Sequence, residues 1–248
     1  MVETPLRFLP FRGIVLGKEG GFVKKKLPQE GLKLLACGTM LLDHWALLFE
    51  KNLWFRAVGR LAFPLYCFLI AEGIAHTGSR KKYFLRLLFM AVLSEPIYDF
   101  VLYPGASVWL HQNVIWTLLL GALLLDRMEK TGHPAGRLLW LAGFAVGAEL
   151  LRVSYGGWGI LMIALFGLTR GREKALLAQS LGLALVGLAM GSIPIKIGGA
   201  EVPVQLFGVC AMVPIALYSG EKVTKSRALS WGFYLFYPVH MLLLGILP

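Results

Sequence analysis

The sequence predicts an all-α fold, a polytopic integral membrane bundle of about nine transmembrane helices with its N-terminus inside and its C-terminus outside. Three observations carry that reading. Of 248 residues, 57% are hydrophobic and only 16% charged, with a mean hydropathy of +0.67, more apolar surface than a soluble chain of this length hides. The apolar residues fall into runs of about 17–25, the length a helix needs to cross a bilayer. The net charge of +11 comes from short basic clusters between those runs. That is the pattern of membrane orientation, whereas nucleic-acid binding needs one basic face.

The elements follow in order. Residues 1–30 form a basic cytoplasmic or interfacial arm ahead of a single transmembrane domain, 31–248. The arm mixes Leu6, Phe8 and Phe11 with Arg7 and Arg12 as an interfacial segment does, and Pro10 prevents one continuous helix. It has neither the apolar core nor the cleavage site of a secretory signal. Spans are predicted near 31–49, 55–75, 83–102, 110–126, 136–151, 156–169, 175–193, 202–219 and 229–247. The sixth is short, so eight spans is the alternative. The inner clusters at 7–26, 80–82, 127–137, 170–174 and 222–227 hold eighteen Lys and Arg, against four outside: Lys51, Arg56, Arg152 and Lys196. This imbalance fixes the sidedness and favours nine spans, because removing one inverts everything after it. Cys37, Cys67 and Cys210 all lie in apolar runs and read as reduced packing residues.

Polar residues inside the spans are the functional candidates, since an ionisable group there costs a few kcal/mol. Span one carries Asp43 and His44, and span two carries Gly59-Arg60-Leu61-Ala62-Phe63-Pro64. Asp43 and Arg60 are equally far from the connection centred between Lys51 and Asn52, so an antiparallel hairpin sets them at one level, where they pair. Asp43 and His44 point about 100° apart on a helix. Asp43–Arg60 therefore reads as a brace and His44 as the acting group; the alternative is that all three only hold helices together. Lys33, Cys37, Met40 and His44 share one face of span one. The stripe runs about 16 Å from the cytoplasmic entrance and fits a ligand with an anionic head at Lys33 and a reactive tail at His44. Arg86, near the inner end of span three, serves the same head.

Other polar groups gather at the outer level. His111, Gln112 and Asn113 open span four, Ser154-Tyr155-Gly156 forms the turn before span six, and His240 lies well outward in span nine. Glu95 lies outward in span three, while Asp99 and Glu149 read as solvated helix ends. No metal is expected, because the His, Cys and acidic residues lack ligand spacing. Neither a phosphate-cradling Gly-rich loop nor a nucleophile elbow is present.

These residues resemble the TraX family of conjugal-transfer membrane proteins, the F-pilin acetylases. The match begins at Lys33, runs through Met40-x-x-Asp43-His44 and Gly59-Arg60-x-Ala62-Phe63-Pro64-Leu65, and continues with Asn113 and with Ser154-Tyr155-Gly156 and Gly159. Phe233-Tyr234-x-x-Tyr237-x-x-His240 closes it, so that about 31–248 is covered. More distantly, a His after the first span followed by a Phe-Pro span is similar to the lysosomal transmembrane heparan-α-glucosaminide acetyltransferases. The resemblance implies an acyltransferase of the bacterial inner membrane. It would move acetyl from cytosolic acetyl-CoA, a cosubstrate, to an amine at the outer half of the membrane, the N-terminus of a pilin subunit. On that reading Lys33, Arg86, Arg80, Lys81 and Lys82, with Arg170 and Arg172, hold the donor's phosphates. His44 takes a proton from the acceptor amine, whose pKa of about 8 suits an imidazole base. Asn113 or Tyr155 donates to the oxyanion, and His240 is a second base or an orienting group. The alternatives are a non-pilin acceptor such as a sugar or other peptide, and a secondary transporter or exporter, which shares buried charges but shows two repeated halves. Partners are then acetyl-CoA, the acceptor and the lipid bilayer, with no nucleic acid.

Overall fold

The computed structural model describes residues 26–50, 52–105, 111–171 and 175–247, and these are predominantly helical. In chain order the helices are α1 (Gln29–Trp45, continued by a π turn, Ala46–Glu50), α2 (Leu53–Gly59), α3 (Ala62–His76), α4 (Arg80–Leu102), α5 (Val114–Lys130), α6 (Pro134–Leu150), α7 (Gly156–Thr169) and α8 (Ala175–Ala189). A hairpin of β1 (Pro194–Ile197) and β2 (Ala200–Pro203) follows, then a 3₁₀ helix (Val204–Ala211), α9 (Met212–Leu217) and α10 (Arg227–Ile246). Each apolar run thus contains helix. By length and composition, Gln29–Glu50, Leu53–His76 and Arg227–Ile246 are long and apolar enough to cross a membrane. Gly156–Thr169, Ala175–Ala189 and Val204–Leu217 are shorter apolar helices.

Local chemistry sets the boundaries. Asn52, Ser79, Asn113 and His133 each cap a helix N-terminus with the side chain, satisfying an amide that has no partner within the helix. The expected second span is interrupted at Arg60–Leu61. Pro64 has no N–H to give the Arg60 carbonyl, so α2 ends there, and α3 restarts with Pro64 in its first turn, where a missing N–H is tolerated.

The hairpin departs from a purely helical chain. The seventh span, expected to reach 193, stops at Ala189, and β1 pairs antiparallel with β2. Gly198 and Gly199 sit between them with φ of 54° and 86°, the left-handed pair that a two-residue hairpin turn demands.

The chain divides into two compact units. One holds, among the described residues, 67–168 and 234–247; α4 packs on α5 and α5 on α6. Its core includes Leu124, Met128, Ala148, Val153, Ile160 and Ala164. The other holds 26–66 and 169–233, with α1 on α2 and the 3₁₀ helix against both α2 and α8. Leu34, Leu35, Leu41 and Leu42 on α1 and Leu177, Leu181, Leu185 and Leu188 on α8 are exposed, the apolar exterior of a membrane protein.

Candidate functional site

In the second unit the site is built on α1. The stripe faces inward: Cys37 and Met40 are buried and Lys33 and His44 half-buried, while the leucines beside them are exposed. The Lys33 ammonium lies 5.3 Å from the centre of the Phe233 ring, and Cys37 Sγ is 3.3 Å from the Tyr66 hydroxyl. At the far end of the stripe Arg60 Nη2 donates to Asp43 Oδ2. The brace therefore forms where the equal-level argument sets it, with both side chains about seven-eighths buried.

Two partners of this brace are absent from the sequence reading. Arg56, expected as an outer loop charge, brings Nη1 to 3.5 Å from Asp43 Oδ1, an ion-pair contact rather than a hydrogen bond. Arg60 Nη1 donates to Gln205 Oε1 at 3.3 Å. Two guanidiniums thus approach one carboxylate, and guanidinium donors suit a developing negative charge. His44 follows Asp43 directly, and the helix then loosens into the π turn at Ala46–Glu50, a departure frequent at functional sites.

The first unit holds a second polar cluster, centred on Glu95. Its carboxylate accepts from Asn113 Nδ2 at 2.5 Å, from the Asn113 amide at 3.3 Å and from Trp116 Nε1 at 2.7 Å. The expectation that Asn113 donates to an oxyanion is corrected here. Its Nδ2 hydrogens go to Glu95 and to the Ala91 carbonyl at 2.8 Å, and its Oδ1 caps α5 through the Ile115 amide. Asn113 is fully buried and builds the helix start. Glu149 is an exposed residue at the end of α6, as expected, and its Oε1 also accepts from the Gly157 amide at 2.8 Å at the start of α7.

The connection before α7 is unusual, since Arg152 and Tyr155 both have left-handed backbones, φ 53° and 66°. Between them Ser154 Oγ donates to the Gln112 carbonyl at 3.0 Å and meets the Tyr98 hydroxyl at 3.2 Å. His111 stacks on Tyr103, ring centres 4.5 Å apart. His240 is buried, and its Nδ1–H donates to the Phe236 carbonyl at 2.7 Å, which assigns the lone pair of the neutral ring to Nε2.

The cations expected to hold phosphate differ in their surroundings. Arg80 gives one guanidinium nitrogen to buried Asp126 at 2.6 Å and another to Glu129, so its charge is offset and its role as a phosphate ligand is corrected to that of an ion-pair partner. Arg86 lies 5.8 Å from the rings of Tyr83 and Tyr234. Lys81 and Lys82 are exposed and Arg170 is buried. Arg172 falls outside the described residues, as do Lys51 and the basic arm through residue 25.

Residues 28–248 match the family described as TraX protein. The chain is similar to the probable fimbrial assembly protein FimC, serogroup H1, of Dichelobacter nodosus. The two are 32% identical over 236 residues, a stretch covering 86% of this chain and 92% of that protein. No solved structure matches.

Proposed function

The chain belongs to the TraX family, and from that premise we propose that it is a membrane-embedded acetyltransferase serving pilus assembly. It moves acetyl from cytosolic acetyl-CoA to an amine acceptor at the outer half of the bacterial inner membrane, a pilin-like N-terminus, from a bundle of nine spans with the N-terminus inside. The fimbrial-assembly name of the relative supports the pilus context. One observation carries the chemistry: Asp43, held by Arg60 and approached by Arg56, directly precedes His44 at the end of the inward stripe that begins at Lys33.

The acceptor amine attacks the thioester carbonyl carbon while the His44 imidazole takes the amine proton. The carbonyl oxygen carries the negative charge of the tetrahedral intermediate, and the guanidinium donors of Arg56 and Arg60 stabilise it. Collapse breaks the carbon–sulfur bond, and the CoA thiolate leaves with the proton that His44 returns. Asp43 keeps the guanidiniums in place, and Lys33 holds the donor's phosphates. His240, with its lone pair on Nε2, is the second candidate base, and Tyr155 a second candidate donor.

The test is thiol release from acetyl-CoA by the purified protein in detergent, with a short peptide bearing a free N-terminus. His44→Ala and His44→Gln are expected to lose about 10²–10⁴-fold in turnover, the contribution of a general base, with acetyl-CoA binding near normal. An active His44→Ala beside an inactive His240→Ala reverses the two histidines. Wild-type protein that releases no thiol is an exporter or assembly factor instead.

A further inference from the structure

Asn113 spends its Nδ2 hydrogens on Glu95 and the Ala91 carbonyl, and the second unit, which carries His44, holds a buried amide of its own. Gln205 stands second in the 3₁₀ helix Val204–Ala211 and is 5% exposed. Its Oε1 accepts from Arg60 Nη1. That contact decides which end of the amide is which, because a guanidinium has only donors to offer and must face the oxygen. The NH₂ end is thereby committed to the other side, and Nε2 has no hydrogen-bond partner among the described residues.

The group is also held still. Its backbone amide donates to Ser192 Oγ at 3.0 Å, and its backbone carbonyl passes Gly187 so closely that a Cβ there would lie 3.1 Å from the oxygen. Beside it, Val204 packs with Ala57 and Ile195, flanked by Leu53 and Phe207, apolar side chains that bring no acceptor. Buried amides without an acceptor are rare in folded proteins. A rigid, dry donor next to a guanidinium is what an oxygen gaining negative charge requires.

We propose that Gln205 Nε2 is the hydrogen-bond donor to the carbonyl oxygen of the transferred acyl group. The inference rests on the acetyl-transfer reading and adds the residue that polarises the thioester. As the amine nitrogen bonds to the carbonyl carbon, the C=O π pair moves onto the oxygen and the Nε2–H bond strengthens. When the carbon–sulfur bond breaks, the π bond re-forms and the hydrogen bond weakens again. Arg60 then has two duties: it pairs with Asp43 and it fixes the direction of the Gln205 amide.

Gln205→Glu separates this role from mere support, since it keeps an acceptor for Arg60 and puts a charged carboxylate oxygen where the NH₂ donor stood. In the full-length protein in detergent, the expected result is an unchanged or higher melting temperature and a KM for acetyl-CoA near wild type. The kcat is expected to fall by about 10²–10³, the effect of deleting one such donor. Gln205→Met, which loses both contacts, is expected to lower melting temperature and kcat together. Wild-type kcat in folded Gln205→Glu or Gln205→Met overturns the proposal. A binding comparison separates it from the acetyl-transfer reading, with acetyl-CoA and CoA as probes. Acetyl-CoA is expected to raise the wild-type melting temperature more than CoA does, and Gln205→Glu to lose that preference. If this holds while no amine is acetylated, the donor stands and the transferase reading falls; equal stabilisation of the wild type by both probes overturns the donor.

Discussion

Gly59 lies so close to Asp43 that a methyl group at 59 would sit 2.6 Å from the Asp43 Oδ1 and 2.7 Å from its Cα. No real Cβ is so placed, so α1 and α2 approach at this level only because residue 59 has no side chain. Gly59→Ala is expected to push the helices apart, destabilise the fold by about 1–3 kcal/mol and weaken the Asp43–Arg60 contact. Gly38→Ala is the control, because a Cβ there meets nothing within 4 Å. It is expected to be neutral or to add up to about 1 kcal/mol through helix propensity. Melting both variants in one detergent decides the matter, and equal behaviour counts against the close packing.

The brace itself is open to a double-mutant cycle. Asp43→Asn leaves two guanidiniums around a neutral amide and is expected to cost about 3–5 kcal/mol, as removal of one buried partner does. Adding Arg60→Gln is expected to recover part of that loss, with a coupling of about 0.5–3 kcal/mol between the two sites. Arg56 remains in the double variant and limits the recovery. Strict additivity of the two melting shifts means that the pair does not interact.

Lys33 and Arg80 both carry charge near the starts of their helices, α1 and α4, and they are expected to behave differently. Arg80→Ala strips a partner from buried Asp126 and from Glu129, costing about 1–3 kcal/mol with KM for acetyl-CoA unchanged. Lys33→Ala is expected to raise that KM several-fold at nearly constant kcat, the signature of lost ground-state binding. Steady-state kinetics beside a melting curve for each variant reads out the difference.

Sidedness is checked by fusions at the C-terminus. The eighteen-to-four division of Lys and Arg expects an alkaline phosphatase fusion to be active and a fluorescent fusion dark. The reverse pattern removes the nine-span topology and the outward level of His44 with it.

Much of the fold is legible in the chain because lipid permits few solutions: apolar runs of one helix length must be helices. The Asp43–Arg60 pair is legible too, since the connection between them is short and each is equally far from its centre. Gln205 is not, for it lies 145 residues from Arg60 in a 3₁₀ segment whose period carries no facing information over distance. Its one signal is a Gln inside an apolar stretch. The hairpin does have a local signal, Gly198-Gly199 between apolar strands, but the flanking apolar residues read equally well as ends of spans. For Asn113 the residue type invites two readings. A short amide just before an apolar run is first an N-cap, and only the contact with Glu95 and Ala91 decides between capping and chemistry. Arg80 likewise looks like a loop cation until Asp126 and Glu129 are brought to it by the packing of α4 on α5.

The left-handed backbones of Arg152 and Tyr155 have a consequence for how this protein is maintained. A side chain in that conformation costs about 1–2 kcal/mol that glycine avoids, and a single codon change supplies glycine from arginine. Glycine at 152 or 155 would relieve that cost, so the connection into α7 is a place where a single substitution can make the protein sturdier without touching its core.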